Sequence, residues 1–186
     1  MALGVVTPEK FPDKEIYIVD ITPGSELLAS SPDEDVIEEA WEMFKEAHDW
    51  GLENCGTIIW DKADQVWELA RLKHLGGLTK IMPHQYTEVN NTFRYLIKSA
   101  DRRENVNLIL IHNMKEQYVN ERFTGNLIRA GFKETGGLVD TCITCFFEDG
   151  TFGGRVEFCR QNMDLCGEEL VGIEWDYEAL LERIFG

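Results

Sequence analysis

Five polar residues that could act together in chemistry directly follow apolar runs of the sequence. Asp20 ends the run EIYIVD, Asp61 ends GTIIWD with Asp64 three residues later, and His112 and Asn113 follow VNLILI. Open α/β sheets bind their ligands at the carboxyl ends of the strands, where such residues would meet. The pattern therefore predicts a site at one edge of a sheet. Each acid taken alone is more simply explained as the polar end of a buried strand.

Helical patterns separate these three runs, and this alternation predicts a parallel α/β sheet. We expect strands over Glu15–Asp20, Gly56–Trp60 and Val106–Ile111. We expect helices from a cap at Ser31 to a stop at Gly51, around Val66 to Arg71, and from Pro83 to Ala100. Because VNLILI is apolar on both faces, it indicates a central strand that is covered by helices on both sides.

The last third of the chain predicts antiparallel structure. The runs Val139–Glu148 and Gly154–Arg160 flank Asp149-Gly150, a dipeptide typical of hairpin turns, and a closing helix is expected over Glu174–Phe185. The predicted fold is thus α/β, with a mostly parallel sheet, helices on both faces and a C-terminal antiparallel hairpin. A length of 186 residues suits a single domain over the whole chain.

The chain is strongly acidic, because 34 Asp and Glu residues against 18 Lys and Arg residues give a formal charge of −16. A surface of this charge repels nucleic-acid phosphates, so direct nucleic-acid binding is disfavoured. The charge suits a basic protein partner, or it belongs to a solvated surface with no partner role. No apolar run reaches about 18 residues, and the first residues lack a secretory pattern, so neither a transmembrane helix nor a signal peptide is expected.

Five cysteines, an odd number, in a chain without a secretory pattern are typical of reduced thiols in the cytoplasm. Cys142 and Cys145 have the CxxC spacing of metal sites, yet along one strand they would point to opposite faces. Cys159 and Cys166 would complete a four-thiolate zinc site only if the chain folds all four together. The alternative is that these cysteines are buried structural residues.

Other charged and titratable residues give weaker signals. Lys98, Arg102 and Arg103 form a small basic cluster, which is most simply a solvated helix end and alternatively an arginine finger directed at a neighbouring subunit. The histidines are too scattered for a metal motif based on spacing. Among them, His48 continues the apolar stripe of the first predicted helix and is expected at the edge of the core.

The order of these elements resembles a known family. An acid-ended strand (IYIVD), a helix, the strand TIIWD, a long helix and the strand-end segment LILIHN follow one another as in the core of RecA-like P-loop ATPases, especially those encoded by tailed phages. The resemblance spans Glu15 to the end of the chain. It implies that Asp61 is the aspartate that holds Mg²⁺ through water, with Asp64 as a further candidate. It also implies that His112 or Asn113 senses the terminal phosphate of ATP.

The sequence departs from that family at the phosphate-binding loop. No GxxxxGK[ST] segment occurs in the 186 residues. The residues MALGVVTPEKFPDK resemble the end of the helix that follows this loop in the family, so the resemblance implies an N-terminally truncated core. The family also carries a water-activating glutamate just past the first of these strands; here Asp20 ends that strand, and Glu26 is the nearest substitute.

Three functional hypotheses follow. The first is a degenerate phage-type ATPase-fold protein that acts through protein contacts, as an oligomer subunit or as an accessory factor in phage DNA metabolism or assembly. The second is a nucleotide-binding ATPase that uses Mg²⁺ and ATP, with the missing loop supplied by a partner or by a longer chain. The third is a zinc-stabilised interaction module. In each case we expect a cytoplasmic protein, in the host cytoplasm if it is viral.

Overall fold

The three apolar runs form neighbouring strands in the computed structural model. Strand β2 (Ile16–Asp20) pairs with β3 (Thr57–Asp61), and β3 pairs with β4 (Asn107–Leu110); both pairings are parallel. A short strand β1 (Gly4–Val6) pairs antiparallel with β2, so the order in the sheet is β1-β2-β3-β4. The structure describes residues 4–6, 16–20, 33–78, 80–120, 122–172 and 176–185. The chain divides into two compact units, Met1–Lys133 and Glu134–Gly186.

Helices of the first unit pack on this sheet and on one another. Helix α1 (Glu34–Asn54) contacts β2 and β3, and α2 (Ala63–Leu75) packs against both α1 and α3 (Tyr86–Asp101). A short 3-10 turn (Pro83–Gln85) leads into α3, which also contacts β4. Proline therefore opens this helical segment as predicted, because a residue without a backbone N–H is tolerated in the first helical turn.

The core of the first unit is centred on Trp60, near the end of β3. Its side chain is fully buried, and its ring makes edge contacts with Phe44 and His48 of α1 at centroid distances of 5.3 and 5.2 Å. Phe93 of α3 contacts the same ring at 5.9 Å. Burial of each large side chain of this kind contributes about 1.5–3 kcal/mol, so this cluster holds α1 and α3 to the sheet.

Helix α1 extends past the glycine at which the sequence predicts its end. The helix continues through Gly51 to Asn54, and the Cys55 backbone N–H donates to the Gly51 carbonyl at 2.9 Å. Burial of Leu52, one residue beyond, offsets the cost of about 1 kcal/mol for glycine in a helix. The predicted stop is therefore wrong, while the predicted cap at Ser31 lies outside the described residues.

A two-stranded antiparallel ribbon follows β4 and was not predicted. Strands β5 (Met114–Val119) and β6 (Arg122–Arg129) pair with each other, with an irregularity between Glu116 and Tyr118. Nearly all of their residues are exposed. Within the described residues, this ribbon is a sheet of its own and is not an extension of β1–β4.

The second unit is an antiparallel sheet with a helix. Strands β7 (Thr141–Glu148), β8 (Thr151–Cys159) and β9 (Glu169–Val171) pair in that order, and α4 spans Tyr177–Phe185. Asp149 and Gly150 have φ values of 50° and 80°, as a tight hairpin turn requires, so the predicted hairpin is confirmed. Among the described residues, its hydrophobic core includes Val156, Cys159, Leu165, Leu170 and Ile184.

Several finer parts of the predicted fold need correction. The C-terminal hairpin belongs to the sheet β7-β8-β9 and adds no strand to the described parallel sheet. The run VNLILI was predicted to be central, but β4 is the last strand of its sheet in the described part of the chain, and its apolar residues are only half-buried. Residues 4–6 form a strand, because their backbone pairs with β2, and the prediction of a helix end there is wrong.

Helices on both faces of the parallel sheet are likewise not shown by the described elements. Phe44 of α1 and Phe93 of α3 contact the same Trp60 ring, so both helices lie on one face of the sheet. Since α2 packs on both of them, these three helices form one layer. A mixed α/β architecture is shown; the RecA-like arrangement and the single domain over residues 1–186 stay predictions. Among the described residues, no helix is both long and apolar enough to span a membrane.

Candidate functional site

The carboxyl ends of the parallel strands meet at one edge of the sheet, as the sequence predicts. Asp20 and Asp61 are register partners at the ends of β2 and β3. The backbone after β4 reaches the same edge, because the Ile111 N–H donates to the Trp60 carbonyl at 3.0 Å and the Ala63 N–H donates to the Ile111 carbonyl at 2.6 Å. The backbone segments that carry the predicted site residues of these three strands therefore lie side by side at this edge.

Asp64 and Asn113 are joined directly at this edge. Asp64 lies in the first turn of α2 and is 7% exposed. Its Oδ1 accepts a hydrogen bond from the Asn113 backbone N–H at 3.1 Å, and its Oδ2 accepts one from the Asn113 side-chain amide at 3.2 Å. Both carboxylate oxygens are thus used to hold the start of α2 to the turn between β4 and β5. A carboxylate at the first turn of a helix is also favoured by the helix dipole.

His112 is held as a neutral imidazole beside this pair. Its Nδ1 lies 3.2 Å from the Ala130 carbonyl, which only accepts, so Nδ1 carries the proton. Burial and the positive charge of Arg129 lower the pKa of His112, and Asp64 and the Ala130 carbonyl offset this only in part. In this tautomer Nε2 has a lone pair, and it is buried without a hydrogen-bond partner in the described part of the chain.

This state of His112 does not suit the phosphate-sensing role that the resemblance implies. A group that reads a phosphate oxygen must donate a hydrogen bond or carry positive charge. A neutral His112 with its only proton directed at Ala130 does neither. Of the two N–H donors of the Asn113 side-chain amide, one is given to Asp64.

A segment that the sequence did not single out closes over these residues. Gly131 has a φ of 79°, and a Cβ atom built on it would lie 2.9 Å from Asp64 Cα and 3.6 Å from His112 Nδ1. The Ala130 N–H donates to the Asn113 carbonyl at 2.8 Å, and buried Phe132 contacts Phe93 at 5.8 Å. The glycine of the AGF tripeptide, directly after β6, was the available signal for this close approach.

Asp61 differs from Asp64 in its surroundings. It ends β3 and is partly exposed, and the next residue, Lys62, adopts a left-handed conformation with a φ of 62° before α2 begins. Of Asp20 the structure describes the backbone alone, and Glu26 lies outside the described residues. Asp61 and Asp20 therefore remain the candidates for a divalent cation at this edge.

The predicted basic cluster lies elsewhere. Arg102 and Arg103 line a shallow groove of about 580 Å³ together with Cys55, Gly56 and Val106, which precede β3 and β4. This groove is at the amino ends of the strands, opposite the edge that carries Asp61. The arginines therefore do not complete the site at the carboxyl ends, and the end of α3 beside them is stabilised by their positive charge.

In the described part of the chain, including this edge, no three His, Cys, Asp or Glu side chains are placed to hold one metal ion. Cys159 is buried, and its thiol lies 3.5 Å from the Thr141 hydroxyl and 3.9 Å from the Gln161 side-chain oxygen. Cys166 is exposed. The zinc site stays a prediction.

No protein-family model matches the chain, and no curated protein or solved structure matches it significantly. The resemblance to RecA-like ATPases accordingly stays a prediction that is based on the order of the elements and on the residues at the strand ends.

Proposed function

We propose that this chain is a degenerate protein of the RecA-like ATPase type encoded by tailed phages, and that it acts through protein contacts without hydrolysing ATP by itself. It would serve in the cytoplasm, the host's if it is viral, as an oligomer subunit or as an accessory factor in DNA metabolism or assembly. The main support is the use of Asp64 and Asn113, which bind each other at the edge where the family binds nucleotide.

Charge at this edge supports the same proposal. Phosphoryl transfer is catalysed almost entirely by positioning and by positive charge around the phosphates. The 186 residues contain no phosphate-binding loop, and His112 is held neutral. Since the chain carries −16 overall, an anionic nucleotide would approach against a repulsive field.

Phosphate release from Mg-ATP by the isolated chain tests the proposal. We expect no turnover above the blank for the wild type, for Asp61→Ala, or for a matched control, Asp35→Ala, which removes an exposed acid of α1. Turnover that is lost in Asp61→Ala and retained in Asp35→Ala would refute the proposal.

The second candidate is a nucleotide-binding subunit whose phosphate loop comes from a partner. The register pairing of Asp20 with Asp61 favours it, because two neighbouring acids at strand ends suit a hydrated Mg²⁺. Calorimetry distinguishes the two candidates. Mg-ATP binding without turnover, weakened in Asp61→Ala, would identify this second function, whereas absence of binding agrees with the first.

A further inference from the structure

The ribbon β5–β6 has one apolar face, which we call the ribbon face. Tyr118 pairs with Phe123 and Glu116 pairs with Leu127, and paired residues of a ladder lie on the same side. Met114 precedes Glu116 by two residues and joins this side. The apolar residues of the ribbon face are therefore Met114, Tyr118, Phe123 and Leu127, and the same side carries Glu116 and Arg129, the register partner of Met114.

The opposite side of the ribbon is mainly polar. The Gln117 side-chain oxygen accepts hydrogen bonds from the Thr124 hydroxyl at 3.0 Å and from the Asn126 amide at 3.4 Å. These bonds fix the ribbon's polar side and leave the apolar residues on the other. The ribbon is thus amphipathic, like a strand pair that covers a core.

Within the described residues of the first unit, no other element covers the ribbon face. Met114, Tyr118, Phe123 and Leu127 are 45–59% exposed. The rings of Tyr118 and Phe123 contact each other, with their centroids 5.8 Å apart. A two-stranded ribbon alone is marginally stable in water, and exposed apolar patches mark interaction surfaces. The ribbon therefore gains most from a partner that covers this face.

Charge favours a second copy of the chain as that partner. Residues 114–129 contain three basic and two acidic residues, a formal charge of +1, although the whole chain carries −16. Two copies that approach through other surfaces bring acids together, whereas repulsion is least at the ribbon. A twofold axis makes one patch meet itself, which suits a face that is apolar at its centre.

The apolar area of the ribbon face fits a weak dimer. A fully buried aromatic side chain covers about 150–250 Å², so four half-exposed side chains offer roughly 400 Å² per copy. Two copies then bury roughly 800 Å² through these side chains alone. This area is below the ~1,200 Å² at which stable interfaces begin, so the dimer is weak and forms as the protein concentration rises.

We propose that the ribbon face is a self-association surface on which a second copy of this chain stacks its own ribbon. This inference rests on the protein-contact part of the proposed function and names the partner. The resulting dimer is held mainly by apolar contacts, so it depends on protein concentration and persists at raised salt.

Sedimentation equilibrium over a range of protein concentration tests the proposal on the full chain. We expect the wild type to approach twice the chain mass of 21.4 kDa. Leu127→Glu, which places a charge in the ribbon face, should remain monomeric. Val119→Glu makes a comparable change at an exposed position outside the face, beside Arg122, and should retain the dimer. Circular dichroism of both variants shows that they are folded.

Other outcomes overturn the proposal. A wild type that is monomeric throughout would do so, as would a dimer that survives Leu127→Glu. Exposed aromatics beside basic residues can also stack single-stranded nucleic acid. A monomeric wild type that binds a single-stranded oligonucleotide in fluorescence anisotropy, with binding lost in Leu127→Glu, would assign the face to that ligand instead. ATP turnover dependent on Asp61 would refute the proposed function, whichever mass is observed.

Discussion

Buried His48 makes the stability of the first unit depend on pH. Its side chain is fully buried in α1, and its ring stacks on Phe44 at 6.1 Å. The Ser99 hydroxyl donates to the Leu96 carbonyl at 2.6 Å, so its lone pair accepts the proton of His48 Nε2 at 3.0 Å. Nδ1 then has only a lone pair, without a partner among the described residues. Protonation would bury a charged N–H that has no acceptor.

The direction of the pH effect follows from the pKa of His48. Burial lowers this pKa from 6.5 to about 4, and Asp49 and the Leu96 carbonyl oppose the shift only in part. Between these two pH values the unfolded chain binds a proton that the folded chain excludes. The stability due to neutral His48 is therefore complete above pH 6.5 and is lost as the pH falls to about 4. A shift of this size corresponds to about 3 kcal/mol in total, and to about 2 kcal/mol between pH 7 and pH 5.

Urea unfolding at pH 7 and pH 5 measures this effect. Acidification also relieves repulsion among the many carboxylates, which changes the free energy of unfolding of any variant in the same way. The effect of His48 is therefore the difference between the wild type and a variant that lacks this histidine. His48→Gln keeps a side-chain N–H for Ser99 and cannot titrate in this range. We expect the wild type to lose about 2 kcal/mol more than His48→Gln between the two pH values.

Exposed His84 provides the control. His84→Gln should show the same pH dependence as the wild type, because His84 lies on the surface at the 3-10 turn before α3. The reasoning is refuted if the wild type and His48→Gln lose the same free energy of unfolding. An NMR titration in which the His48 ring protonates above pH 6 in the folded protein would contradict it as well.

Two further predictions concern the edge of the parallel sheet, and urea unfolding measures both. Gly131→Ala should cost about 1–3 kcal/mol more than Gly125→Ala: both glycines have positive φ, but only a Cβ at Gly131 meets backbone, at Asp64 Cα. Equal losses would show that the close approach at Gly131 relaxes freely. Asp64→Asn should cost about 1–3 kcal/mol, because an amide N–H replaces one of the two acceptors that bind Asn113. Asp61→Asn should change stability little, and an equal loss there would contradict the structural role assigned to Asp64.

Elements with strong local signals were predictable from the sequence. The β-branched run before Asp61 forms β3, and the Asp149-Gly150 dipeptide forms the predicted hairpin turn. The ribbon β5–β6 was missed because its strands are exposed and need no continuous apolar run. Gly125 and Asn126, which lie within β6, further weaken the local signal of a strand.

Contacts between residues far apart in the sequence could not be predicted from local sequence patterns. Asp64 and Asn113 are 49 residues apart, and nothing near either residue indicates the other. His48 was expected at the edge of the core because an imidazole is polar, yet it is fully buried. Its burial depends on Ser99, which lies 51 residues away and supplies the acceptor for its one N–H. A polar side chain enters a core when a partner from another element is present, and that partner is a property of the fold.

The same distinction applies to Asp61 and Asp64, the two acids at and just after the end of β3. An acid after a buried strand can bind a ligand or can brace the fold, and residue type and spacing are the same in both cases. Asp64 has a structural role, since both of its oxygens accept hydrogen bonds from Asn113 and the residue is almost fully buried. Asp61 is partly exposed at a strand end beside Asp20 in register. Asp61 and Asp20 are therefore the better candidates for a cation at this edge, and we expect Asp64→Asn to affect mainly stability.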